Sequence, residues 1–487
     1  MPKIPFDIIG GYEKTKNVVN AQETVNWYVD NTSEGAYLCP TAGLSVATSF
    51  LLGGIGRALY QYRDKADDKL YAVIGQHLFA LTYSLSQVFL GQIETGSGFI
   101  DIDDDGKNLI LVDGADGWLY DKEVSVFKKI TFPNFPTNPT AVTFFGNRFL
   151  VSTDTDNLIT PSEILDPYNW DNAARFGLPA NEKVISHATL NGRLFVFGKT
   201  ITQIWQDAGL PVEPFQKEPT DLNFGCAARG SIAKEEGVLI WLTQDREGIG
   251  AFVLSTGGVP VNITSAAIAD RLANYDDVSD VRAYIYRNEL GHIFYRVNFT
   301  DANESWQFRI NDKVNSVEKR WIKLESGNKD RHLGETHTYF NRKHYVLGYN
   351  NNKLYEMSIK FGDDDGIAIR RARITSNLVL PTLERFKLNQ IIIDLNSGAS
   401  FDNFIPTELA PATKDGKIFL SISRDGGLSY GTSLHKPIGK IGEVKTTVRF
   451  TRFGESKKFT FKIETYNRIP IFLLKAAIDI SPLQRTA

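Results

Sequence analysis

The sequence predicts an all-β protein: a β-propeller of about six or seven blades, with an extended N-terminal arm and a C-terminal β-sandwich or barrel. Three observations carry that expectation. Forty Gly, 31 Phe and 19 Tyr favour strands joined by tight turns. A short apolar strand recurs, starting at Leu70, Leu109, Phe149, Leu194, Leu239, Ile293 and His344. Its period of roughly 40–50 residues is that of propeller blades, which bury their faces only by stacking radially.

Most copies turn through Gly, Asp or Asn into a second strand, as at Gln76 to Leu81, Trp118 to Tyr120 and Ala251 to Leu254. Most also have a strand some ten residues upstream, such as Arg57 to Tyr60, Ala141 to Phe145 and Val184 to Thr189. The chain therefore divides into an arm over 1–56, a propeller over 57–360 and a C-terminal domain over 361–487. The last break falls at Phe361-Gly362-Asp363-Asp364-Asp365-Gly366. Beyond it, six turn-bounded strands lack the blade period: Ile367 to Ile374, Lys387 to Leu395, Lys417 to Ser423, Lys445 to Phe453, Phe459 to Tyr466 and Ile471 to Ile480. Helix signals are few. Ile263 to Tyr275 has Thr264 or Ser265 as cap and Ile268, Leu272 and Tyr275 on one face, and Pro161 to Trp170 has room for one helical turn.

Bulk properties exclude several function classes. A formal charge of −3 over 487 residues lacks the basic footprint of a tight DNA binder. It remains compatible with a channel through which DNA slides. No apolar run reaches the ~18 residues of a membrane-spanning helix. The N-terminus lacks the basic-then-apolar order of a secretory signal, so folding in the cytoplasm is expected. Cys39 and Cys226 stand apart, with no ligand spacing, and read as small buried side chains.

Motifs with possible chemistry each have a simpler account. Asp101-Ile102-Asp103-Asp104-Asp105-Gly106 opens like a calcium loop, but position 12 is Val112 and the bidentate acid is missing. A solvated turn between blade strands is the expectation there, and a charged linker at Asp363 to Asp365. Ser423-Arg424-Asp425-Gly426-Gly427-Leu428-Ser429-Tyr430 resembles the Asp-box hairpin of sialidases, where the box is structural; a turn is expected. Histidines 77, 187, 292, 332, 337, 344 and 435 form no ligand pair at i, i+4. His332, His337 and His344 lie close in sequence, and alternation on hairpin strands accounts for them. P-loop and GxGxxG are absent, and Asn298-Phe299-Thr300 has no meaning as a glycosylation site without secretion. No catalytic, cofactor-binding or metal-binding residue is assigned.

A series of motifs in order along nearly the whole chain resembles the packaged-DNA stabilisation family, the tail hub or nozzle proteins of short-tailed phages. It begins with Thr24-Val25-Asn26-Trp27-Tyr28, Glu34-Gly35-Ala36 and Pro40-Thr41-Ala42-Gly43-Leu44. It continues with Leu111 to Gly114, Gly192 to Gly198, Thr202 to Trp205, Gly225 to Ala228 and Gly291 to Tyr295. Gly348 to Tyr355, Ile369-Arg370-Arg371-Ala372-Arg373 and Phe419 to Tyr430 complete it. Cys39 and Ala42 depart from the pattern. The resemblance implies a non-enzymatic virion protein, a homo-hexameric ring below the portal and its head-to-tail adaptor. Such a ring continues the DNA channel, with double-stranded DNA passing through the lumen without sequence-specific binding. It also holds tail spikes or fibres and, with a needle or plug, retains the genome until ejection. Two other readings share the architecture: a phage-borne glycan depolymerase and a cellular propeller scaffold. Exposed carboxylates facing each other across a central cleft would favour the depolymerase.

Overall fold

The computed structural model describes residues 3–16, 20–33, 35–61, 69–210, 213–235, 237–244, 248, 250–310, 316–327, 329–396, 416–438 and 445–482. Seven antiparallel four-stranded units form a closed propeller. Their innermost strands are Gly56–Tyr60, Asp101–Asp104, Ala141–Phe145, Ser186–Leu190, Ala233–Glu235, Arg282–Arg287 and Gly334–Phe340, which begin blades 1 to 7. Each of the seven recurring apolar runs is the second strand of one blade.

The reason those runs read as continuously apolar is that both faces of a blade are covered. In Leu70–Ile74, Tyr71 and Val73 pack with Leu109 and Leu111 of blade 2. Leu70, Ala72 and Ile74 pack with Leu347 and Leu354 of blade 7. The two-residue period is still present; it feeds two neighbouring clusters instead of core and solvent. Ile110 and Val112 turn likewise to blade 3, as Phe195 and Phe197 turn to blade 5. Each such side chain contributes about 1.5–3 kcal/mol by leaving water.

Ring closure depends on the N-terminus. Gly43–Ser49 pairs antiparallel with Lys353–Ser358 as the outermost strand of blade 7. Gly43 begins it in a crowded place: a Cβ there would lie 2.6 Å from the Asp363 carbonyl oxygen.

The expectation of an extended arm over 1–56 needs correction. Its residues are strands of three other sheets. Glu23–Val25 lies between Trp321–Leu324 of blade 6 and Arg371–Ile374, so blade 6 continues without interruption into the sandwich. That sheet ends with Lys458–Thr465, Lys417–Ser423 and Leu434–Pro437. The facing sheet holds Trp27–Thr32, Gly35–Pro40, Phe472–Pro482, Phe386–Asn396 and Lys445–Ser456, with Ile4–Phe6 along Phe472–Pro482. Between the sheets lies a core including Trp27, Ile391, Ile393, Phe461, Ile463 and Leu473. The C-terminal sandwich is thus not separate: it takes strands from the N-terminus and shares a sheet with the propeller.

Two helix expectations change. Ile263 to Tyr275 shortens to Ala266–Leu272, with the Ser265 hydroxyl accepting from the Ile268 amide at 3.3 Å. Pro161 to Trp170 is no helix but parts of two strands, Leu158–Glu163 and Asp166–Trp170, joined by a turn with Leu165 at φ 52°.

Candidate functional site

Two places gather polar side chains: the joint between propeller and sandwich, and the propeller axis. The joint is built from the motifs at 24–28 and 369–373. Thr24 and Val25 pair with Arg373 and Ala372 across the shared sheet. Asn26 takes the left-handed backbone (φ 54°), a conformation Asn tolerates better than most residues. Its side chain donates to the carbonyls of Glu325 and Arg370, both at 2.8 Å, and accepts from the Glu325 amide at 3.1 Å. Trp27 donates its indole N–H to the Ile471 carbonyl at 2.8 Å, inside the sandwich core.

Three consecutive arginines have different tasks. Arg370 bridges Glu325 of blade 6 (2.8 Å) and Glu464 of the sandwich (2.9 Å). Arg371 is fully buried near Asp364, where burial lowers its pKa to about 10 and raises that of Asp364 to about 7. Arg373, 1% exposed, donates to the carbonyls of Ile8 (2.8 Å) and Gly11 (3.0 Å), to Thr24 Oγ1 (3.0 Å) and to Gln22 Oε1 (2.5 Å). One guanidinium therefore fixes the N-terminal residues against the sandwich.

A second contact crosses the joint at Asp30. Its carboxylate pairs with Arg309 of blade 6 at 2.9 Å, accepts from the Tyr37 hydroxyl at 2.5 Å and lies 3.5 Å from His292. Burial alone would raise the Asp30 pKa; Tyr37, His292 and Arg309 outweigh it and hold the carboxyl below its usual range.

The axis is occupied by side chains that link blade to blade. The Tyr60 hydroxyl donates to Asp103 at 3.0 Å, joining blades 1 and 2. Asp101 and Asp103 accept the Val142 and Phe144 amides at 3.0 and 2.7 Å, joining blades 2 and 3. His187 Nδ1 is 3.0 Å from Thr143 Oγ1, and Lys234 donates to Thr189 at 2.7 Å, joining blades 3, 4 and 5. Burial drives the His187 pKa down to about 3, so its ring is neutral. A cavity of 180 Å³ lies among blades 1, 2, 6 and 7, with Arg57, Phe99, Asp101, Arg282 and Glu335 on its wall. Asp101 is tied to backbone, and Glu335 is paired with Arg331 at 2.5 Å.

The motifs singled out in the sequence resolve individually. In the calcium-like stretch, 101–104 is an inner strand and not a solvated turn. Asp101 and Asp103 point one way, while Asp104 binds Lys122 and the Gly106 amide. Only Asp105, which accepts from the Lys107 and Asn108 amides, shapes the turn. Asp363 and Asp364 pair with Ile367 and Ala368 beside Gly43–Ser49, a buttress of blade 7 and not a linker. In the Asp-box-like turn, Asp425 accepts from Ser423 and Ser429 hydroxyls and from the Leu428 and Ser429 amides, which lower its pKa. Of the three neighbouring histidines, His337 and His344 meet at 3.0 Å, whereas His332 lies 2.9 Å from Arg296 Nη1. Among the described residues no three His, Cys, Asp or Glu side chains gather as metal ligands. Cys39 and Cys226 are buried free thiols, pushed up to about 12 by burial. What the sequence did not single out is Phe99 with Arg57, Arg229 and Arg282, which come from four separate segments.

A closed propeller joined through one continuous sheet to a sandwich, with the motifs at 24–28 and 369–373 meeting at the joint, defines a two-unit all-β structural protein. Residues 15–361 match the family model described as "Bacteriophage P22 Gp10, beta-propeller", and 374–481 match "Bacteriophage P22 Gp10, beta-sandwich". The chain therefore belongs to this family of packaged-DNA stabilisation and tail hub proteins of short-tailed phages, and it is a phage structural tail protein. No curated protein matches it.

Solved structures are alike only in outline. The extracellular domain of the one-component system BT4673 from B. thetaiotaomicron is 9% identical, with a TM-score of 0.44 over 71% of this chain and 43% of that one. This chain thus spans less than half the length of that relative. The N-terminal domain of Nup159 is 10% identical, with a TM-score of 0.41 over 69% of this chain and 99% of that one. The computationally designed Ika8 protein is 9% identical, with a TM-score of 0.38 over 64% and 99%.

Proposed function

We propose that the chain is a hub or nozzle subunit that attaches below the portal and its head-to-tail adaptor, assembles as a hexamer and helps retain packaged DNA until ejection. The observation that carries this reading is the family match over both units, which a shared sheet makes one body. A subunit that must withstand the pressure of a packed genome needs such a joint more than it needs reactive groups. In this reading DNA passes through a lumen formed between subunits and not along the propeller axis, whose inner strands are tied blade to blade by links such as Tyr60 to Asp103 and Thr143 to His187. The near-neutral charge suits a conduit, since a strongly basic wall would hold the strand. Spikes or fibres and a needle or plug would dock on its outer and distal surfaces.

The test is deletion of the gene from its phage, followed by electron microscopy and DNA content of the particles. Heads that fill and then leak DNA, lacking the distal tail, are expected. Stable full heads with complete tails that fail to adsorb would contradict the proposal and favour a surface-acting enzyme.

A further inference from the structure

We propose that one mouth of the propeller axis is a binding site for a small oxyanion of the phosphate class, held by Arg229 and Arg282, which share contact with Phe99. Both guanidinium groups lie over the Phe99 ring, Arg229 at 5.3 Å and Arg282 at 5.0 Å from its centre. Arg57 completes the positive wall from blade 1. None of the three forms an ion pair among the described residues; Arg57 is buried, and Arg229 and Arg282 are partly buried.

The three have different donor capacity. Arg57 is satisfied by carbonyls: it donates to Gly75 at 2.9 Å, Thr95 at 2.6 Å, Ser97 at 2.5 Å and Gly98 at 3.2 Å. It therefore holds the Glu94 to Phe99 loop in place and adds charge without open donors. Arg282 donates from Nη1 only, to the carbonyls of Asp280 (3.1 Å) and Val281 (3.0 Å). Arg229 likewise uses Nη1, donating to the Thr140 carbonyl at 3.2 Å. Each of these two keeps Nη2 and Nε for a ligand. A planar fork with two open donors is the geometry that suits a tetrahedral or carboxylate oxyanion.

The surroundings are compatible with a negative ligand. Arg282 lines the 180 Å³ cavity together with Arg57 and Phe99. Glu335 on the same wall pairs with Arg331 at 2.5 Å, and its charge also acts on Arg282. Burial raises the Asp101 carboxyl to about 7, with Asp103 adding to the rise and Arg229 opposing it, which weakens its repulsion at neutral pH. Burial also lowers the pKa of Arg229 and of Arg282, and each other's charge adds to this for Arg282. An anion between them would relieve both effects. A volume of 180 Å³ admits an inorganic ion and not a duplex, so the phosphate groups of DNA are not the expected source.

The experiment is calorimetric titration of the full chain with inorganic phosphate in a chloride buffer at neutral pH, with a 20-base-pair duplex as a second titrant. Saturable binding of one phosphate per chain is expected, weakened at least tenfold by Arg229→Gln and by Arg282→Gln. Arg282→Lys should retain part of it, and Arg449→Gln, an exposed sandwich arginine, should leave it unchanged. If either glutamine variant misfolds, the phosphate-dependent rise in melting temperature of the unaltered chain, compared between phosphate and extra chloride, gives the same answer. Absence of saturable phosphate binding to the unaltered chain would overturn the proposal. So would binding that both glutamine variants leave intact, or binding of the duplex in place of the free ion.

Discussion

The joint and the axis both bury charge, and they do it in opposite ways. At the joint, Arg370 meets Glu325 and Glu464, and Arg309 meets Asp30, so cation and anion are matched across the two units. Along the axis, Asp101 and Asp103 accept backbone amides and Arg57 donates to carbonyls, so charged groups are held by the polypeptide itself. A matched pair fixes two separate bodies in one orientation. A charge satisfied by backbone ties one segment to another without spending an opposite charge, and leaves its field for something else. Two of the sequence motifs, 24–28 and 369–373, meet at the joint, while the blades share a pattern of burial more than a sequence.

The largest effect should come from cutting the joint at Arg373. Replacement by Ala leaves the Ile8 and Gly11 carbonyls, Thr24 and Gln22 without their donor, and should cost about 3–5 kcal/mol in denaturant unfolding. Asp30→Ala removes the carboxylate that Arg309 pairs with in a largely buried position and should cost about 3 kcal/mol. Because the native Asp30 pKa is depressed, its contribution is present above the unfolded value near 4 and is lost as pH falls through the native value. The loss should flatten in the variant. In a blade, Leu111→Ala should cost about 2–4 kcal/mol without distinguishing the two regions, since it opens a cavity between blades 1 and 2.

The axis has its own signature. His187 has a depressed pKa, so its contribution is present above the unfolded value near 6.5 and is lost as pH falls towards about 3. Asp101 has a raised pKa, so its contribution is present below the unfolded value near 4 and is lost as pH rises through about 7. His187→Gln should therefore remove an acid-side loss, and Asp101→Asn a loss on the neutral side, in stability measured from pH 4 to 7.5. Profiles that change in the same direction would contradict these assignments. The smallest effect is expected at Ser265→Ala, about 1 kcal/mol from the lost helix cap.

Local pattern accounts for what the sequence discloses. The seven second strands were readable because apolar residues on both faces leave continuous runs, as in Leu70–Ile74 and Asn108–Val112. The strands beyond residue 367 were readable from alternation, although the first divides into Ile367–Ala368 and Arg371–Ile374. The N-terminal strands were not readable as such. Val25 finds its partners at Lys323 and Ala372, and Leu44 its partner at Met357, and pairings so distant leave no local period. The polar, turn-rich composition there reflects strands held by long-range bonds. The Phe99 site was invisible for a related reason: its residues come from separate blades, and no spacing links them.

The account's central claim is that propeller and sandwich are one cooperative body through the shared sheet and the Arg373 anchor. Differential scanning calorimetry of the full chain tests it most directly. A single unfolding transition is predicted, splitting into two when Arg373 is replaced by Ala. Two independent transitions in the unaltered chain, with Arg373→Ala shifting neither, would contradict it.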